Sequence, residues 1–218
     1  AMFLGQYRAA MEAVNQFDEL IPDALIRINS PPMADLFEGY YGLKYHALIR
    51  FGKWTEIINM PAPNDPDLYL VTTAIYRYAR ALAYAASGDV FSAEIEQKLF
   101  KFAFEKVPET RLMFNNKCFD LLKIADAMLK GEIEYRKNNF ELAFKYLTTA
   151  IENEDSLPPN IKKIPLNQPL PLLKDALENF MLSEYDSPPT VKVSKSINEN
   201  YPEQYTKILD IIIAEIDS

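Results

Sequence analysis

The sequence predicts an all-α protein, and three observations carry that prediction. Glycine is scarce, six residues against fifteen prolines, whereas a turn-rich β-sandwich draws on many glycine turns. Long stretches rich in Ala, Leu, Glu and Lys favour helix. No segment alternates apolar and polar residues in the way a half-buried strand does.

Individual helices announce their ends. Ser30, Pro31 and Pro32 set a capping hydroxyl before proline, whose fixed φ suits a first helical turn. The helix opened there is expected to run to Phe51, where Gly52 can end it in a left-handed conformation. Asp65 and Pro66 form a second cap of this design. The helix that follows, 67–87, places Leu70, Ala74, Ile75, Tyr78, Leu82 and Ala85 on one stripe through steps of three and four. Gly88 stops it and Asp89 caps the next, Val90 to about Lys106. Glu94 with Lys98, and Glu141 with Lys145, stand four apart in the favourable order for ion pairing along a helix.

Asn115 and Asn116 break or cap the chain before a long helix ending near Lys137. Asn138 and Asn139 then turn it into a helix from Phe140 to about Asn153. Residues 156–171 hold Pro158, Pro159, Pro165, Pro169 and Pro171, too many for a helix or a central strand. Short helices near 172–184 and 202–216 are expected beyond them, separated by a polar loop with Pro188 and Pro189.

Composition narrows the function. The 218 residues fit one large domain or a run of small repeated units. Lys and Arg number 23 and Asp and Glu 31, a net charge of −8. Such a surface repels nucleic acid and anionic lipid. The most hydrophobic helical stretch carries Arg77 and Arg80, and the run 208–216 is short and holds Asp210 and Glu215, so no membrane span is expected. The first residues lack the basic start and apolar core of a signal peptide. A single cysteine, Cys118, excludes an internal disulfide and fits a buried small hydrophobe better than a nucleophile. A cytoplasmic location is the expectation.

One turn recurs. Gly5, Tyr7 and Ala10 stand in the same spacing as Gly52, Trp54 and Ile57; as Gly88, Val90 and Ala93; and as Asn138, Phe140 and Ala143. Gly or Asn tolerates positive φ between two helices. A large side chain then starts the second helix, and a small residue sits where the two helices cross. These four elements resemble the tetratricopeptide repeat, a helix–turn–helix unit. The likeness is best over 125–151, through Gly131, Asn138, Ala143 and Ala150, and is good over 74–100. The turns are 47, 36 and 50 residues apart, against a family repeat of about 34, so the array is irregular. The chain also resembles long tetratricopeptide proteins without assigned activity. The resemblance implies an α-α superhelix, a right-handed solenoid of tetratricopeptide-like hairpins, over residues 1–155. Residues 156–218 are then a Pro-rich connection and C-terminal helices packing on the same solenoid.

His46 is the one histidine, which excludes catalytic or metal sites built from several. It lies six residues before Gly52, and Arg50 two before. In tetratricopeptide hairpins this side of the first helix tends to face the concave groove. Equivalent counting brings in Leu82 with Ala85 and Ala86, and Glu132 with Tyr135 and Arg136. With Tyr78 these residues make the expected ligand groove. The family's Lys- and Asn-rich clamp for acidic chaperone tails is not matched, because Leu82, Ala85 and Ala86 stand on that face.

The expected function is therefore a non-enzymatic scaffold that binds a peptide or protein segment in a concave helical groove, without cofactor or metal. Two arginines in an acidic chain favour a carboxylate-bearing partner. The alternative is a regulatory sensor holding a small molecule in an aromatic-lined groove. The turn at Gly5 has almost no helix before it. That predicts partly uncovered Met11, Val14 and Phe17, self-association through this end into a homodimer, and a chain that is a segment of a longer repeat protein.

Overall fold

Positive backbone φ falls at four turns in the computed structural model, at Gly5 (69°), Gly52 (63°), Gly88 (89°) and Asn138 (64°). These are the four recurrent turns of the sequence. Each tolerates the left-handed conformation, and at the last three one helix ends and another begins two residues on. The structure describes residues 1–157 apart from Pro31, residues 114–115 and the side chains of Phe3 and Glu19. The expectations for the Pro-rich connection and the C-terminal helices lie outside the described residues.

The described chain is mostly helical, as its composition predicts. A 3-10 turn at Met2–Leu4 precedes α1 (Tyr7–Leu20), followed by the short α2 (Asp23–Ile26) and α3 (Met33–Phe37). Then come α4 (Leu43–Arg50) and α5 (Trp54–Asn59), the long hairpin α6 (Leu70–Ala86) and α7 (Val90–Glu105), and a second long hairpin, α8 (Cys118–Arg136) and α9 (Phe140–Asp155). α6 packs along α7 and α8 along α9, while α8 also rests on α6 and α7. Ala74, Ala79, Ala81, Ala83 and Ala85 of α6 are fully buried, so small side chains let neighbouring helices approach it closely. Phe100, Leu122, Leu129 and Ile133 fill the spaces between.

The cap at Asp89 behaves as the sequence predicts: it accepts a hydrogen bond from the Ser92 amide at 3.0 Å. Asp65 accepts one from the Leu68 amide at 3.2 Å, but this closes a turn, and the helix expected from 67 begins at Leu70.

Three further local expectations are corrected. The single helix expected from Ser30 to Phe51 is divided into α3, a 3-10 turn at Glu38–Gly42, and α4. The reason is tertiary. Glu38 turns inward and accepts hydrogen bonds from the amides of Val71 (3.0 Å) and Thr72 (2.6 Å) and from the Thr72 hydroxyl (2.6 Å), which caps the start of α6. Gly42 meanwhile lies so close to Ile75 that a Cβ there would come within 2.6 Å of its Cδ1. Second, a two-residue antiparallel ladder pairs β1 (Leu112–Met113) with β2 (Asn116–Lys117), so a small strand pair exists where none is expected. Third, Glu94 turns to Lys137 of the next hairpin, Oε1 to Nζ 2.5 Å, instead of to Lys98. Among the described residues no ion pair joins Glu141 to Lys145 either.

Candidate functional site

Counting back from the three turns at Gly52, Gly88 and Asn138 sorts the predicted groove residues into two classes. Six residues before each turn stand His46, Leu82 and Glu132; two before stand Arg50, Ala86 and Arg136. All six keep solvent access: His46, Arg50 and Arg136 are exposed, and Leu82, Ala86 and Glu132 half-buried. A repeated position that stays accessible in three hairpins is what a common helical face requires.

Tyr78 and Tyr135 belong to a different class. Ten residues before the turns stand Gly42, Tyr78 and Met128; three before stand Ile49, Ala85 and Tyr135. Gly42 is pressed against Ile75 of α6. Tyr78 is buried against Phe100, ring centroids 6.0 Å apart. Burial, with a smaller contribution from the Glu132 carboxylate, pushes its phenol up to about 12. Gly42 thus packs on the next hairpin, whereas Tyr78 packs within its own, with Glu132 of α8 near it. In the last described hairpin, Met128 and Tyr135 are instead exposed.

The face of α8 is organised. Glu132 Oε1 receives Arg136 Nη2 at 2.6 Å and Nε at 2.7 Å. The guanidinium lies 5.9 Å from the centroid of the Tyr135 ring, which packs edge-on against Phe140 at 5.2 Å. A pre-oriented cation beside an aromatic ring suits an acceptor group such as a carboxylate. On α4, His46 is open to solvent, yet enough protein surrounds its ring for desolvation to hold its pKa below the ordinary imidazole value. His46 is thus biased toward its neutral form, which can both donate and accept a hydrogen bond.

Sequence reasoning missed two ionic clusters. Glu96 is buried between Arg77 (Nη1 3.1 Å) and Arg80 (Nε 2.9 Å), and Arg80 also donates to the carbonyl of Ile58. Two arginines three apart on an otherwise apolar helix were the available signal, since burial demands a partner for such charges. The second cluster joins Glu38 to Arg111 (Nη1 3.8 Å), which also meets Asp35 at 3.2 Å. Burial raises the Glu38 carboxyl above its usual range, opposed chiefly by the hydrogen bonds from Thr72. No local spacing links positions so far apart in the chain. Cys118 is buried nearby, its thiol pushed up to about 12 mainly by desolvation, with Glu38 adding to it.

Among the described residues no group of three or more His, Cys, Asp or Glu side chains could hold a metal ion. No described helix is long and apolar enough to cross a membrane. No family model, no curated protein and no solved structure matches this chain.

Proposed function

We propose that this chain is a non-enzymatic interaction scaffold, an irregular array of tetratricopeptide-like hairpins that binds a peptide or protein segment along the exposed face of its first helices. The observation that carries the reading is the repeated accessibility of one pair of positions, His46 and Arg50, Leu82 and Ala86, Glu132 and Arg136. Basic or neutral donors at His46, Arg50 and Arg136 in a chain of net charge −8 favour a segment bearing a carboxylate. Binding needs no cofactor, and a cytoplasmic setting suits the unpaired, buried thiol of Cys118. The small-molecule reading is less favoured because Tyr78, which it needs as an aromatic wall, lies in the core.

The test is a peptide array of acidic segments, each with a free or an amidated C-terminus, probed with the protein and with Arg50→Ala/Arg136→Ala. Binding should favour the carboxylate form and fall at least tenfold in the double variant, with an unchanged circular dichroism spectrum. Equal binding by both proteins removes the two arginines from the site and overturns the proposal.

A further inference from the structure

Among the described residues, the last hairpin exposes positions whose counterparts on α6 are buried. Tyr78 and Ala85 of α6 are buried, and Glu94 of α7 reaches across to Lys137 at the end of α8. Fifty residues on, the corresponding positions are Met128, Tyr135 and Phe144, and Phe140 and Ile151 correspond to Val90 and Lys101 of α7. All five are exposed, Phe144 at 60 % and Ile151 at 59 % of their full surface. Phe140, Phe144 and Ile151 recur at steps of four and seven, one stripe of α9. Where α7 carries Glu94, which reaches α8, and an exposed Lys101, α9 carries a phenylalanine and an isoleucine. The face is therefore more apolar than its counterpart, and rings of this size left in water favour association.

α7 has an exposed stripe of its own, Phe91, Ile95, Leu99 and Phe102. Its counterparts on α9 are Glu141, Lys145, Thr149 and Glu152. It has no covered equivalent in the other hairpin, so nothing in the fold says what would meet it. The face of α8 and α9 is different: at Glu94, the counterpart of Phe144, the α6–α7 hairpin meets an amphipathic helix, α8. Charge then selects among amphipathic helices. α8 and α9 together carry Asp120, Asp126, Glu132, Glu134, Glu141, Glu152, Glu154 and Asp155 against Lys123, Lys130, Arg136 and Lys145, so basic flanks are attracted more than acidic ones.

We propose that Met128, Tyr135, Phe140, Phe144 and Ile151 form a docking face for an amphipathic helix of a partner protein, with an apolar stripe at steps of three and four and lysine or arginine along its flanks. This surface borders the face containing Arg136, whose guanidinium lies against the Tyr135 ring, but it needs neither His46, Arg50 nor Arg136, and the proposal stands whether or not a peptide binds along them.

The test titrates the full chain into three fluorescent 18-residue helical peptides and follows anisotropy. One has a leucine stripe with lysine flanks, one the same stripe with glutamate flanks, and one serine in place of leucine. The lysine-flanked peptide should bind at least tenfold tighter than either other. Phe144→Asp and, separately, Ile151→Asp should each weaken it at least tenfold, whereas Phe91→Asp should leave it unchanged. Both altered side chains lie mostly in water, and circular dichroism checks that each variant is folded. Binding that ignores the leucine stripe or both substitutions overturns the proposal. So does a dimer seen by light scattering that Phe144→Asp dissolves, which would make a second copy the occupant. A monomer that refuses the peptide also overturns it, because the face is then closed to a partner.

Discussion

Replacing Gly131 with alanine sets two effects of opposite sign against each other. Gly131 lies inside α8, where alanine is favoured over glycine by about 1 kcal/mol through backbone entropy. A Cβ at this position would come within 2.8 Å of Cγ and Cδ2 of Leu147 and 3.2 Å of the Ala143 carbonyl oxygen. Side-chain Cγ is not a free tip, and the carbonyl belongs to the backbone of α9, so neither yields easily. Overpacking of this kind costs roughly 1–3 kcal/mol. The steric term therefore exceeds the propensity gain, and Gly131→Ala should be destabilising by up to about 2 kcal/mol. In a Leu147→Ala background the two nearest atoms are gone and only the 3.2 Å approach to the Ala143 carbonyl oxygen remains, so the same change should be less destabilising by roughly 1 kcal/mol or more. Urea denaturation of the four chains, followed by circular dichroism, gives the cycle. An equal change in both backgrounds would falsify the assignment of Gly131 as the close-contact point between α8 and α9.

Three further outcomes follow from the same structure. Glu96→Ala leaves Arg77 and Arg80 without their shared carboxylate and should cost roughly 3 kcal/mol, the lower end for a broken buried pair because Arg77 retains some solvent; an unchanged thermal midpoint refutes the clasp. The hydrogen bonds from Ser92 hold the Asp89 carboxyl below its usual value. The stability it adds over Asp89→Ala should be complete above the ordinary aspartate pKa of 3.8 and vanish as pH falls through the depressed folded value; a gap that widens on acidification contradicts the cap. Cys118, buried with its thiol pushed up to about 12, should resist alkylation at pH 8 until the protein unfolds, and rapid labelling of the native chain would show it accessible.

Much of the fold was legible because helix ends are written locally. Gly52, Gly88 and Asn138 turn where a residue tolerant of positive φ stands between two apolar periodicities, and the observed α7 and α9 begin where the residues after those turns said they would. The division of Ser30–Phe51 was not legible. It depends on Glu38 meeting amides at Val71 and Thr72, more than thirty residues away. The two classes of groove residue were likewise mixed in the sequence. Tyr78 and Leu82 lie four residues apart on one stripe, and only the presence of Phe100 and α8 beside Tyr78 separates the buried one from the accessible one.

The sequence by itself determined the helical class, the turns and the small residues at helix crossings, because dihedral preference and apolar period act over a few neighbouring residues. Tertiary structure decided which charges pair and which apolar residues remain in water. Glu94 chose Lys137 over Lys98, and Phe144 stayed exposed where its counterpart in the hairpin before is engaged. The reason is physical. Pairing and burial are set by whatever lies nearest in space, and for the helix ends and faces of this chain that neighbour comes from another hairpin.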